Sequence, residues 1–219
     1  MISRALASLA LVAVAASVAG AQAAPAPPPA PPPALAPSSY ATEEVHINSR
    51  PVAGQWFNQD AGYSGPARIA ISYGQPHARG RKVEGGLIRR DTVSRLGANQ
   101  ATTLHTDVDM TLGSVHVPHG DYTLYLLNSG NAWQLIINRQ TANWGTDYDP
   151  SRDVGRTLLT LRQLAEPQES LAIYLVPAWT PGQGPASSLQ GTLTIVWGMS
   201  ALTTTWTVDK TQPRAGREG

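Results

Sequence analysis

An all-β domain, a single antiparallel β-sandwich or jelly-roll-like fold, is predicted by three features of this 219-residue chain. Apolar and polar residues alternate with period two through most of residues 65–208, the mark of half-buried strands. Gly, Pro, Asn and Asp recur between the alternating runs at the short spacing of antiparallel turns. No stretch carries an amphipathic helical pattern of useful length. Short strands with frequent turns and no helices build two-layered β domains.

The first 64 residues stand outside that pattern. Arg4 precedes a weakly apolar stretch over residues 5–19, and Ala21-Gln22-Ala23 offers small residues around a cleavage point. Residues 1–23 therefore read as an export signal, with the mature chain starting near Ala24 and residing in the periplasm or outside the cell. The stretch falls short of the ~20 apolar residues of a membrane span, and no later segment approaches that length. Residues 24–37 hold eight prolines in fourteen positions, which disfavours both helix and core and implies a disordered, extended Pro-rich spacer. Residues 38–64 are polar, with isolated Trp56 and Phe57, and read as a partly ordered lead-in with Trp56 docked on the domain.

Within the domain, Ile69, Ile71 and Tyr73 share one face of a strand. Leu104, Thr106, Val108, Met110 and Leu112 share one face of the next, opposite His105, Asp107 and Asp109. Val115 and Val117 lead into a Pro118-His119-Gly120 turn, after which Tyr122, Leu124 and Leu126 alternate. A turn at 128–131 precedes Trp133, Leu135 and Ile137. Residues 141–156 hold closely spaced Gly, Asp, Asn and Pro and read as a long loop with room for one helical turn. Strands resume over 157–164, 170–176, 191–197 and 201–208, with a Pro/Gly loop at 177–188. Val108, Leu124, Leu135, Ile137 and Ile195 are expected to be buried, and residues 209–219 to form a loose tail.

Composition narrows the function. The chain has no cysteine, which excludes disulfide scaffolds, thiolate metal sites and thiol catalysis. A formal net charge of +1 argues against a general nucleic-acid binder. The G-x-S-x-G elbow, H-E-x-x-H, phosphate-loop and dinucleotide glycine motifs are absent, and no cofactor is implied. His105 with Asp107 and Asp109 has the composition of a metal site, but alternating polar residues usually form a solvated outer face; no metal is expected.

Charge concentrates between residues 79 and 95. Arg79, Arg81, Lys82, Arg89, Arg90 and Arg95 face only Glu84 and Asp91, among Gly80, Gly85 and Gly86. Guanidinium forks on turned backbone suit recognition of carboxylate, phosphate or sulfate. Arginines in such a stretch also tie loop carbonyls or are merely solvated; Arg89 and Arg90 read as one or the other of these, while Arg79, Arg81 and Arg95 divide evenly between such roles and ligand recognition. Asn99 follows at the mouth of the next strand, and Asn138 ends a strand before the long loop, so both are candidates to join a ligand-binding cluster with Arg79, Arg81 and Arg95.

The same residues carry a resemblance. Ile71-Ser72-Tyr73-Gly74-Gln75-Pro76, Arg79-Gly80-Arg81, Gly85-Gly86-Leu87, Arg95, Gly97-Ala98-Asn99 and Ala101-Thr102-Thr103 resemble the opening block of the bacterial DUF2911 family. Val117-Pro118, Tyr122-Thr123-Leu124-Tyr125, Trp133, Leu135-Ile136-Ile137-Asn138, Trp144-Gly145 and Trp197-Gly198 continue it. The resemblance implies an exported all-β domain and no established activity. Arg89-Arg90-Asp91 and Ser94 depart from the family's usual Pro-Tyr-Gly turn and tryptophan, and Gln100 replaces its usual glutamate. None of the five histidines falls on a motif position.

Two functional classes follow. One is a non-catalytic binding or accessory domain whose Arg/Asn cluster takes a small anionic or carbohydrate ligand. The alternative is a periplasmic or extracellular hydrolase using carboxylates such as Asp107, Asp109 or Asp149 as acid and base.

Overall fold

The computed structural model describes residues 37–47, 49–52, 55–58, 67–130, 132–141, 143–178 and 189–209, with backbone alone for 49–52 and 55–58. The segments read from sequence as an export signal, a proline spacer, the 177–188 loop and a tail lie wholly or mostly outside the described residues, as does the Trp56 side chain. What is described is all-β. β1 (Ser39–Ile47), β2 (Ser49–Val52), β3 (Gln55–Asn58), β4 (Ala67–Gln75), β5 (Val93–Arg95) and β6 (Ala98–Thr106) come first. β7 (Met110–Leu112), β8 (Val115–Val117), β9 (Gly120–Asn128), β10 (Trp133–Asn138), β11 (Asp153–Pro177) and β12 (Gln190–Val208) follow. One 3-10 turn, Pro150–Arg152, occupies the long loop, and the described residues contain no α-helix.

Ten strands form one unclosed antiparallel sheet in the order β1-β4-β6-β9-β10-β11-β12-β7-β8, with β5 beside β9. β2 and β3 pair separately. The two halves of the sheet share one core. Ile69, Ile71, Leu124, Leu126, Leu135 and Ile137 come from the first half, and Leu171, Ile173, Leu193, Ile195 and Trp206 from the second. Tyr73 spans the two: its ring is buried, and its hydroxyl oxygen accepts the Ile173 N–H at 3.0 Å. Period-two burial drives this arrangement, because each alternating strand has one face to hide.

The chain passes between halves at corners. The expected continuous strand through Leu104–Leu112 breaks at residues 107–109, so β6 lies in the first half and β7 in the second. Polar side chains hold the break. The Thr106 hydroxyl donates to the Val108 carbonyl at 2.6 Å, and Asp107 accepts the Arg68 N–H at 3.0 Å. Asp109 accepts both the N–H (2.7 Å) and ring Nδ1 (2.8 Å) of His119. Val108, expected in the core, is therefore only partly buried against it, whereas Leu124, Leu135, Ile137 and Ile195 are buried as expected.

Three further differences concern strand limits. β1 pairs with β4 over nine residues, where the sequence reads as a partly ordered lead-in. Its inward positions Ala41, Glu43, Val45 and Ile47 alternate only weakly, as an edge strand permits. β11 runs unbroken across the expected gap at 165–169, absorbing Pro167 through register shifts between Gln163, Gln168 and Ala172. β12 likewise continues through Gly198, whose φ of +59° makes a local kink. Glu84 stabilises that kink by accepting from Met199 N–H at 2.9 Å and from the Ser200 hydroxyl at 2.8 Å.

The Asp109 corner makes acid stability a testable property. The His119 N–H first, and its ring second, hold the Asp109 carboxyl below the usual carboxylate range. A depressed carboxylate contributes stability that is fully present above the unfolded value of ~3.9 and is lost as pH falls through the lower folded value. Urea melts across acid pH are expected to show Asp109→Asn with a shallower loss of stability below pH ~4 than the parent.

Candidate functional site

The cleft that concerns function is a product of an excursion in the sheet. Arg95 of β5 pairs with Tyr125 of β9, and Thr102 of β6 pairs with the adjacent Leu124. Residues 96–101 between them are thus extra and bulge from the ladder. Gly97 (φ +135°) and Asn99 (φ +61°) supply the left-handed geometry such a bulge needs; Asn tolerates it better than other side chains. Gly74 of β4 lies against the bulge so tightly that a Cβ there would stand 1.9 Å from the Ala98 carbonyl oxygen. Both glycines belong to the motif residues quoted above, and their backbone role accounts for them.

The second wall is the segment after β4. Val83 and Ile88 bury into the core, and the N–H groups of Leu87 and Ile88 return to the carbonyls of Lys82 and Val83 at 3.0 and 2.9 Å. Glu84, clamped on β12, fixes the segment from below. The third wall is the loop after β10. Asn143 receives the Gly145 N–H at 3.0 Å and donates to the Tyr125 hydroxyl at 3.1 Å. Tyr148 packs edge-on against Tyr125, with ring centroids 5.0 Å apart. Tyr148 also donates to Asp153 at 2.6 Å and accepts from Arg156 at 2.7 Å. Burial, then the Asp153 carboxylate, pushes its hydroxyl up to about 12, so Tyr148 presents a neutral ring to the cleft.

The cleft between these walls is open to solvent and has a volume of ≈ 690 Å³. Arg79, Arg81, Arg89, Arg95 and Asn99 line it, and no aspartate or glutamate is among the lining residues. None of the four arginines forms an ion pair among the described residues. They are, however, anchored. Arg81 donates Nε to the Ala78 carbonyl and Nη2 to the His77 carbonyl, both at 2.9 Å. Arg95 donates Nη1 to the Asn99 carbonyl at 3.1 Å and to the Trp144 carbonyl at 3.5 Å. Arg79 donates Nη2 to the Pro37 carbonyl, and its backbone N–H reaches Glu169 at 2.6 Å. Each guanidinium has five N–H donors, so these ties leave edges unused among the described residues. Arg95 keeps its whole Nε/Nη2 side, and Arg81 keeps Nη1. Anchored forks with an open edge are preorganised for oxyanions.

Four of the five sequence candidates, Arg79, Arg81, Arg95 and Asn99, thus border one cleft. Asn138 does not. It is fully buried at the end of β10, donating to the Asp149 carbonyl at 2.9 Å and Asp153 at 2.8 Å, and accepting the Gln140 N–H at 2.8 Å. Its work is to hold the loop that carries Tyr148. Arg89, read from sequence as a loop tie or a solvated side chain, lines the cleft; Arg90 does not. Tyr148 and Trp197 were not legible as site residues, because nothing local in sequence shows that the loop and the β12 kink reach the arginines.

The carboxylates stay apart. His105 engages Asp121 through Nδ1 at 2.8 Å and Asp107 through Nε2 at 3.3 Å, whereas Asp109 belongs to His119. The three do not converge as a ligand set. Asp149 caps the 3-10 turn by accepting from the Ser151 N–H and hydroxyl, and that hydroxyl and N–H hold its carboxyl low. Asp107, Asp109 and Asp149 are not among the residues lining the cleft.

A family model described as "Protein of unknown function (DUF2911)" matches residues 58–203. No curated protein and no solved structure matches the chain.

Proposed function

The chain belongs to the DUF2911 family, and on that premise we propose that it is an exported, non-catalytic binding domain for an anionic ligand. One observation carries the reading: four arginines line a ≈ 690 Å³ cleft, and no aspartate or glutamate is among the described residues that line it. Excess cationic charge in a concave site raises the local concentration of anions and steers them in. Its volume lies within the ~300–1,000 Å³ typical of organic ligands, well above what one inorganic ion fills. The export half of the proposal rests on the N-terminal signal pattern. A hydrolase of the carboxylate-pair kind needs two carboxylates converging on one pocket, and the cleft supplies arginine forks instead.

Thermal unfolding at low ionic strength tests it. Sulfate, phosphate, citrate and oligogalacturonates are titrated separately. At ~100 times its Kd a site ligand adds about 2.7 kcal/mol of stability, a Tm rise of roughly 5–10 °C for a domain of this size. The rise is expected to shrink as sodium chloride is added, because the attraction is screened. A Tm that responds to none of these anions refutes the proposal.

A further inference from the structure

We infer that the ligand of this cleft is an acidic saccharide, its carboxylates on the arginine edges and a sugar ring laid on the exposed indole of Trp144. The inference rests on the binding reading above and names the class of ligand.

Trp144 is the observation that points there. It is 56% exposed, an unusual fate for the side chain with the largest apolar surface. Its backbone is nevertheless held firmly. The Trp144 carbonyl accepts from Arg95, the Asn143 carbonyl accepts the Ala101 N–H at 3.3 Å, and Gly145 is bonded to the Asn143 side chain. Gly145 also lies so near the bulge that a Cβ would stand 3.2 Å from Ala101 Cα and from Arg95 Cβ. Gly145 and Thr146 line the cleft, and the Trp144 carbonyl beside them accepts from Arg95, so the Trp144 backbone adjoins it. A large aromatic exposed on an anchored backbone offers an amphipathic face for a ligand to stack on.

The remaining surface matches a sugar acid. The apolar faces of sugar rings suit aromatic surfaces, and the half-buried Tyr148 at the cleft contributes more of it. Ring hydroxyls need amide and hydroxyl partners; Asn99 is exposed, and its side-chain amide has no partner among the described residues. Planar guanidinium forks match planar carboxylates. Phosphate ligands, by contrast, are most often cradled by helix N-termini or glycine-loop N–H groups. The described residues contain no α-helix to provide the first; Gly97 and Gly145 line the cleft, so the second is separated by the uridine monophosphate titration below.

Calorimetric titration of the full mature chain with trigalacturonate, sulfate and uridine monophosphate is the test. Trigalacturonate is expected to bind at least tenfold more tightly than sulfate. Trp144→Ala is expected to weaken trigalacturonate roughly tenfold, about 1.4 kcal/mol, and to leave sulfate within about twofold. Trp144→Phe should restore most of the loss, and Arg95→Ala should weaken both ligands. Three outcomes overturn the inference while sparing the anion-binding proposal. They are an unchanged trigalacturonate affinity in Trp144→Ala, an equal loss for sulfate, or tighter Trp144-dependent binding of uridine monophosphate than of trigalacturonate. Failure of every anion to bind the parent overturns both.

Discussion

Asn138→Ala is expected to destabilise the domain by about 3–5 kcal/mol, since each buried polar group left unpaired costs ~1–3 kcal/mol. Asn138 is completely enclosed, so water cannot replace it without rearrangement. Its removal strands the Gln140 N–H, takes one partner from Asp153, and leaves the Asp149 carbonyl with the Arg152 N–H alone, at 3.2 Å. Asp153 in turn organises Tyr148 and Arg156. Loosening it releases the third wall of the cleft as well as the end of β10. Chemical denaturation should therefore show a lower midpoint at similar slope. Asn138→Asp should be no milder, because it sets a second carboxylate beside Asp153. A loss below ~1 kcal/mol would mean the loop is held by other contacts, and the buried-network account of Asn138 would fail.

Asn138 also shows how far sequence reasoning reaches. Strand faces were legible wherever apolar residues strictly alternate, as at Ile69, Ile71 and Tyr73 or at Leu124 and Leu126, because burying one face of a strand is a local property of its pattern. Strand ends were less legible. Pro167 and Gly198 are breakers on local grounds, yet β11 and β12 absorb them, since register shifts and the distant Glu84 carboxylate compensate. The edge strand β1 hides little apolar surface, so its pairing leaves almost no trace in composition. The arginine segment was legible through charge alone. Which arginines meet was not: Arg89 and Arg95 are brought to one cleft by turns and a bulge whose geometry depends on contacts far along the chain. Asn138 sits in the same motif-rich stretch, but an asparagine that satisfies a buried loop and one that faces a ligand look alike in sequence.

Arg95→Ala separates the two roles open to an arginine in that cleft, and its expected effect falls on binding. The carbonyls that Arg95 holds belong to Asn99 and Trp144, both exposed residues. Water can solvate these oxygens once the guanidinium is gone, so the stability cost is expected at only about 0.5–1.5 kcal/mol. The lost binding contact is larger. A charge-assisted hydrogen bond contributes ~1.5–3 kcal/mol, which corresponds to an affinity drop of roughly ten- to a hundredfold for any anion on the Nε/Nη2 edge. Arg95→Lys keeps the charge and loses the fork, and should recover only part of the affinity. Arg81→Ala offers the contrast, because its Nε ties the part-buried Ala78 carbonyl, and its Nη2 the His77 carbonyl, at the root of the second wall. It should lose more stability than Arg95→Ala. Denaturation and anion titration of the three variants give the two quantities separately. Strong destabilisation by Arg95→Ala with unchanged anion affinity would make Arg95 a structural tie and remove it from the site.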